Sequence, residues 1–281
     1  MKLLRTLSCV CLAAGISVGV TAYAHERDQA LVLGDSVAFA YIASAGHEYI
    51  NPGNFLGFAD DLERMLGVEA VDAGCPGETT GSFLSSTAPD NGCRAYRAAF
   101  PLHVAYGSTQ LEFAKKQLRH NRDVRLVTIT LGANDGFLLE ASCAAQANPT
   151  ACIEAGLPTL LATVEVNMAN MLAALRATGY GGAIVITNYY SLDYSDAAAT
   201  GLTALLNSAI AAPARSYGAE VADLFTAFKS VASNPAFGGN SCNAGLLNAS
   251  VQNQLLCDVH PSQSGHQLIA ETITRTLRSR Y

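Results

Sequence analysis

Val124-Arg125-Leu126-Val127-Thr128-Ile129-Thr130-Leu131 runs directly into Gly132-Ala133-Asn134-Asp135. The first eight residues are mostly β-branched or apolar, the composition of a strand buried in a sheet. The four that follow are small or polar, and they sit where such a strand would end. Working outward, the same pattern recurs. Gln29 to Leu33 is a short apolar run ending in Gly34-Asp35-Ser36, and Val68 to Val71 ends in Asp72-Ala73-Gly74. Ala183 to Thr187 and Glu220 to Leu224 complete five predicted strands.

Helical spacing fills the intervals. Residues 54–66 place Phe55, Phe58, Leu62, Met65 and Leu66 on one face, with Asp60, Asp61, Glu63 and Arg64 opposite. Further helices are predicted over 108–120, over 153–178 with a bend near Pro158, over 197–217 with a kink at Pro213, and over 263–278. Residues 72–106, 136–150 and 229–259 read as loops. Strands alternating with helices predict an α/β fold, a five-stranded parallel sheet covered on both faces. Ligands then bind beyond the carboxyl ends of the strands.

The first 24 residues carry the marks of an export signal. Lys2 and Arg5 precede an uncharged apolar stretch, Leu7 to Val20, and Ala22-Tyr23-Ala24 supplies a small-x-small cleavage site. The stretch is short for a stable membrane anchor. Cys9 and Cys11 lie within it and lack the upstream leucine of a lipid-attachment site. The expectation is a secreted or periplasmic protein, with residues 25–281 forming one domain. The chain carries a net charge of −6, and losing Lys2 and Arg5 makes the remainder more acidic. No basic stripe is present to bind phosphates, which argues against nucleic-acid binding.

Beyond the signal, Cys75, Cys93, Cys143, Cys152, Cys242 and Cys257 remain. An even count in an exported chain favours disulfides, although six cysteines allow 15 pairings. Sequential pairing (75–93, 143–152, 242–257) closes short local loops and is the expected arrangement. No pair has C-x-x-C spacing, and His25, His47, His103 and His120 have no carboxylate or cysteine at ligand spacing, so no metal is expected. Asn248-Ala249-Ser250 fits a glycosylation acceptor.

The polar residues at the strand ends suit one chemistry. A serine nucleophile needs a base within reach and donors aimed at the developing oxyanion. Ser36 is the candidate nucleophile and His260, in Asp258-Val259-His260-Pro261, the candidate base. The backbone N–H groups of Ser36 and Gly74 and the side chain of Asn134 are the candidate oxyanion donors. Each feature also has a plainer use: serine caps helices, Asn-Asp forms turns, and His266 reads as a structural helix residue. No G-x-S-x-G elbow, P-loop or G-x-G-x-x-G turn is present.

Four blocks in order, Gly34-Asp35-Ser36, Gly74, Gly132-x-Asn134-Asp135 and His260-Pro261 with Gly265-His266 behind it, make the chain resemble the SGNH or GDSL hydrolases. The resemblance implies a three-layer α/β/α flavodoxin-like fold. It implies acyl-ester hydrolysis by Ser36 and His260, with Ser36, Gly74 and Asn134 forming the oxyanion hole and no cofactor. One position departs. Such proteins usually carry the triad aspartate three residues before the histidine, where this chain has Cys257, while Asp258 lies two before. Either Asp258 reaches His260 Nδ1, or a backbone carbonyl near Cys257 orients the ring.

A small-molecule or lipid ester is the expected substrate, acted on by a monomer. Phe137-Leu138-Leu139 and Tyr189-Tyr190 are placed to line an acyl groove, or to pack as ordinary core. The absence of tryptophan weighs against sugar platforms. Carbohydrate O-deacetylation, thioester hydrolysis and a catalytically silent binding module stand as the alternatives.

Overall fold

The computed structural model describes residues 28–250 and 257–278. Residues 1–24, read above as an export signal, lie outside the described residues, and so does His25.

The chain begins with β1 (Gln29–Gly34), α1 (Phe58–Leu66) and β2 (Glu69–Asp72), then α2 (Thr80–Leu84), α3 (Cys93–Ala99) and α4 (Gln110–His120). Next come β3 (Val124–Thr130), α5 (Ala133–Cys143), α6 (Pro149–Arg176), β4 (Ala183–Thr187) and α7 (Ala197–Ala211). Then follow β5 (Glu220–Ala222), α8 (Leu224–Ala232), β6 (Leu247–Ala249), β7 (Cys257–Pro261) and α9 (Gln263–Arg278). The five-stranded sheet has the order β2-β1-β3-β4-β5, and every pairing within it is parallel. α1 packs against α9, and α4 and α6 pack together, giving the three-layer α/β/α arrangement. The apolar strand runs predicted this: Leu31, Val32 and Leu33 of β1, and Val127 and Ile129 of β3, are fully buried. Truncating one of them to alanine removes about 2–5 kcal/mol of stability.

The strand order sets where a ligand can bind. From β1 the chain turns one way to β2 and then crosses to the other side for β3. A crevice therefore opens beyond the carboxyl ends of β1 and β3, where the order reverses. Gly34-Asp35-Ser36 and Gly132-Ala133-Asn134 border it.

Several boundaries differ from the sequence expectations. Helix α1 starts at Phe58 because Asn51 and Pro52-Gly53-Asn54 form a turn, and the Asp60 carboxylate accepts from Gly57 N–H at 2.8 Å, capping the helix there. Asp61 is buried rather than on the solvent face, and it pairs with Arg64. Residues 136–150 are mostly helical: α5 runs to Cys143, and α6 begins at Pro149 with Asn148 as its cap. α6 continues through Pro158 as one helix of 28 residues. The helix at 197 ends at Ala211, and a short helical turn follows Pro213. Ala197–Tyr217 is long and apolar enough to cross a membrane by length and composition, with mean hydropathy 1.3. Here it lays Asn207, Ala209 and Ile210 on the core. The region 229–259, expected as loop, holds the end of α8 and the antiparallel pair β6–β7. Within that pair Asn248 Nδ2 donates to Pro261 O at 2.8 Å, which engages the amide of the predicted glycosylation acceptor.

The six cysteines pair sequentially, 75–93, 143–152 and 242–257, with Cα–Cα distances of 5.5, 5.6 and 5.6 Å. Cys143–Cys152 staples the α5–α6 turn, and Cys242–Cys257 fixes the start of β7. Closing the 15-residue separation of the last bond is worth about 3 kcal/mol in the chain-entropy account. Cys75, Glu78 and Cys93 hold ligand-type atoms within 4.8 Å of one another, but both sulfurs are joined in the disulfide. Titrating the denatured, unreduced protein lacking residues 1–24 should find no free thiol, and reduction should release six. Two or more thiols before reduction would mean that at least one of these bonds is absent.

Candidate active site

The turn that carries Ser36, the candidate nucleophile, is built around Gly34, at φ +147°. A Cβ there would lie 2.4 Å from Thr130 O on β3, so only glycine fits. Gln110, fully buried on α4, clamps the turn from the other side: Gly34 N–H donates to its Oε1 at 2.6 Å, and its Nε2 donates to Gly34 O at 2.9 Å. Asp35 is turned inward. Its Oδ1 accepts from Val37 N–H at 2.9 Å, and its Oδ2 accepts from the Tyr189 hydroxyl. Burial pushes the Asp35 carboxyl up to about 6, against the lowering effect of those bonds. With Asp35 held inside, Ser36 faces a cavity of about 420 Å³.

His260 and Asn134 line the same cavity as Ser36. Among the described residues Ser36 Oγ has no hydrogen-bond partner, and the bond to His260 Nε2 is not formed here; such contacts tighten when substrate binds.

β7 brings the displaced aspartate to the histidine. In a strand, residues two apart point to the same side. Asp258 and His260 therefore share a face, and Asp258 Oδ2 lies 2.7 Å from His260 Nδ1. Both side chains are mostly buried, at 13% and 14% exposure. Burial raises the Asp258 carboxyl, but hydrogen bonds from His260, Val259 N–H (2.6 Å) and Ala43 N–H (3.3 Å) outweigh it and leave it below the usual range. Tyr190 ties the strand down by donating to Val259 O at 2.7 Å, and the Tyr41 ring meets the His260 ring edge-on at 5.0 Å.

Gly74 requires a correction. Its N–H donates to Asp72 Oδ1 at 2.7 Å and is not free for an oxyanion. Glycine is required there by packing, since a Cβ would come within 2.5 Å of Phe39 N. The next glycine along the loop differs. Gly77 is buried at φ +87°, and its N–H has no partner among the described residues. It directly precedes Glu78, whose carbonyl accepts from Asn134 Nδ2 at 3.0 Å. Asn134 is buried, and its Oδ1 accepts from Asn91 Nδ2 at 2.8 Å. Asp135, beside it, serves the scaffold: Thr80 N–H and Oγ1 donate to its two oxygens at 2.9 and 2.6 Å.

His266 is structural, as expected. It is 3% exposed, stacks near Phe58, and burial lowers its imidazole to about 3, which keeps it neutral. Phe137 and Leu139 line the cavity with Tyr189 and Tyr190, whereas Leu138 does not. A larger cleft of about 660 Å³ beside α3 includes none of Ser36, Asn134 or His260. Gln110 and Asn91 were missed by the sequence analysis. A polar residue on the apolar side of 108–120 was the available signal for Gln110, and nothing marked Asn91.

Residues 32–268 match the GDSL-like Lipase/Acylhydrolase family. The chain belongs to that family. It is a carboxylic ester hydrolase, and the three-layer sheet described above is consistent with the GDSL fold. No curated protein matches the chain by sequence. Among solved structures, a phospholipase A1 from Streptomyces albidoflavus is 19% identical, with a TM-score of 0.56 over 89% of this chain and 99% of that one. A lipase from a goat rumen metagenome is 16% identical, with a TM-score of 0.56 over 88% and 96%. An acetylxylan esterase from Geobacillus stearothermophilus is 15% identical, with a TM-score of 0.54 over 89% and 94%. At these identities the likeness is one of fold.

Two outcomes follow from this geometry. Asp258→Asn should lower kcat by about 10⁴-fold, the loss found when a triad acid can no longer hold the imidazole tautomer. A loss under about tenfold, worth less than 1.4 kcal/mol, would assign ring orientation to backbone instead. The second concerns Asp72, whose carboxyl burial raises to about 7, with His103 opposing. The folded protein keeps a proton there that the unfolded chain releases, so this contribution to stability falls as pH rises from about 4 to 7. Urea midpoints of Asp72→Asn relative to the parent should therefore climb across that window and level off above it. A difference independent of pH would mean that Asp72 is ionised in the fold.

Proposed function

We propose that this chain is an exported hydrolase of esters with extended apolar acyl groups, acting as a monomer through an acyl-enzyme on Ser36. One observation carries the proposal. Ser36, Asn134 and His260 line one cavity, and the cavity is also lined by apolar side chains: Phe137, Leu139, Leu157, Leu160, Leu202 and Leu206. Burying a hydrocarbon chain against such a wall contributes about 0.8 kcal/mol per methylene.

In the proposed reaction Ser36 Oγ attacks the ester carbonyl as His260 Nε2 takes its proton. Asp258 holds Nδ1–H and stabilises the imidazolium. The oxyanion is received by Ser36 N–H, the remaining N–H of Asn134 Nδ2, and Gly77 N–H in place of Gly74. His260 then protonates the leaving alkoxide, and water repeats the steps to release the acid. All of these groups come from one chain, and none requires a cofactor. Three disulfides support an oxidising compartment. The apolar wall favours lipid esters over acetylated sugars.

Hydrolysis of p-nitrophenyl esters from acetyl to palmitoyl tests this. Activity should disappear in Ser36→Ala and His260→Ala, and kcat/KM should rise from acetyl to medium or long chains. A maximum at acetyl would favour a deacetylase. Parent activity no higher than Ser36→Ala on any ester would favour a binding module.

A further inference from the structure

Asn134 can help an oxyanion only with its nitrogen end toward the reacting oxygen. Turned over, it would present a lone pair to a developing negative charge. The side chain is symmetric in shape, so its neighbours must choose the orientation. Two contacts do so. The Glu78 carbonyl can only accept, and it takes one hydrogen of Nδ2 at 3.0 Å. On the other side Asn91 Nδ2 donates to Oδ1 at 2.8 Å. That second bond also draws electron density toward Oδ1 and makes the free Nδ2–H a better donor.

Asn91 is itself exposed, so core packing does not account for its amide. Its backbone is nonetheless tightly held. Asn91 N–H donates to Gly77 O at 2.8 Å, and a Cβ on Gly77 would lie 2.3 Å from Asn91 O. Two residues on, Cys93 is bonded to Cys75, closing the loop that carries Gly77, Glu78 and Asn91 together. The loop thus brings an anchor for each end of the Asn134 amide.

We propose that Asn91 is a positioning residue for ester hydrolysis, fixing through Nδ2–H···Oδ1 which end of the Asn134 amide faces the Ser36 cavity. This rests on Asn134 being an oxyanion donor, as put forward above. Deleting an oxyanion donor costs about 10²–10³-fold in kcat, and releasing its orientation should cost less, about tenfold. Asn91→Leu should therefore lower kcat about tenfold and leave KM within about twofold, since the bond matters most as charge develops. Asn91→Asp, which sets a carboxylate against Oδ1, should lose more at pH 8. Its activity relative to the parent should recover toward pH 5, as the introduced carboxyl gains a proton to donate.

The deciding experiment is a double-mutant cycle with Asn134→Ala, in protein shown by thermal unfolding to be folded. If Asn91 acts through Asn134, Asn91→Leu changes kcat less than about twofold in the Asn134→Ala background. An equal loss in both backgrounds would make Asn91 a general support of the loop and overturn the proposal. So would a change confined to KM, which would mean direct contact with substrate. An Asn134→Ala variant with undiminished kcat would instead remove the oxyanion assignment itself, a result distinct from either.

Discussion

The contact between Gly34 and the Thr130 carbonyl is the constraint from which the rest of the site follows. Two adjacent parallel strands end side by side, and the chain leaves β1 with its backbone against β3, at a distance that admits no side chain. That close approach forces the turn, and the turn sends Asp35 inward and Ser36 outward. Gln110 then satisfies the Gly34 N–H and C=O that the turn leaves buried, with a side chain from a third element. Through a further 3.3 Å contact Gln110 Nε2 reaches the Glu78 carboxylate. The clamp on the Ser36 turn and the loop behind Asn134 are thereby one hydrogen-bonded unit.

Buried carboxyl groups recur around this unit, and burial raises each of them: Asp35 to about 6, Asp72 to about 7 and Glu78 to about 7. Each accepts hydrogen bonds from the backbone or from neutral side chains rather than from a buried lysine or arginine. Asp258 is the opposite case. Less deeply buried and facing His260, it lies below its ordinary value and remains an anion. Environment thus separates carboxyl groups that position backbone from the one suited to stabilise an imidazolium.

The disulfides act on the same geometry. Cys75–Cys93 closes the loop bearing Gly77, Glu78 and Asn91, and Cys242–Cys257 sets the first residue of the strand bearing Asp258 and His260. An aspartate two residues before the histidine reaches its Nδ1 because that segment is extended. In a turn or helix the same spacing would point the two side chains apart.

The sequence by itself determined the sheet and marked the candidate residues at its ends. The inner strands β1, β3 and β4 are buried on both faces and are nearly continuous apolar runs, and the shorter edge strands β2 and β5 kept enough apolar character to be legible beside them. Ser36, Asn134 and His260 stood out as polar residues at strand ends or before the last helix. What local pattern could not determine was decided by tertiary contact. Residues 136–143 are helical although they lack a strong apolar stripe, because α5 packs on α6 and is stapled by Cys143–Cys152. Gly74 and Gly77 are equivalent as letters. Only the fold shows that Asp72 engages the N–H of the first and leaves that of the second free. Asp258 reaches His260 because antiparallel pairing with β6 holds β7 extended, and Ala43 N–H, 215 residues earlier, donates to the same carboxylate. Gln110 and Asn91 act at 76 and 43 residues' separation from their partners. A hydrogen bond over that distance leaves no periodicity in the sequence, since it depends on where two elements meet rather than on what either segment prefers alone.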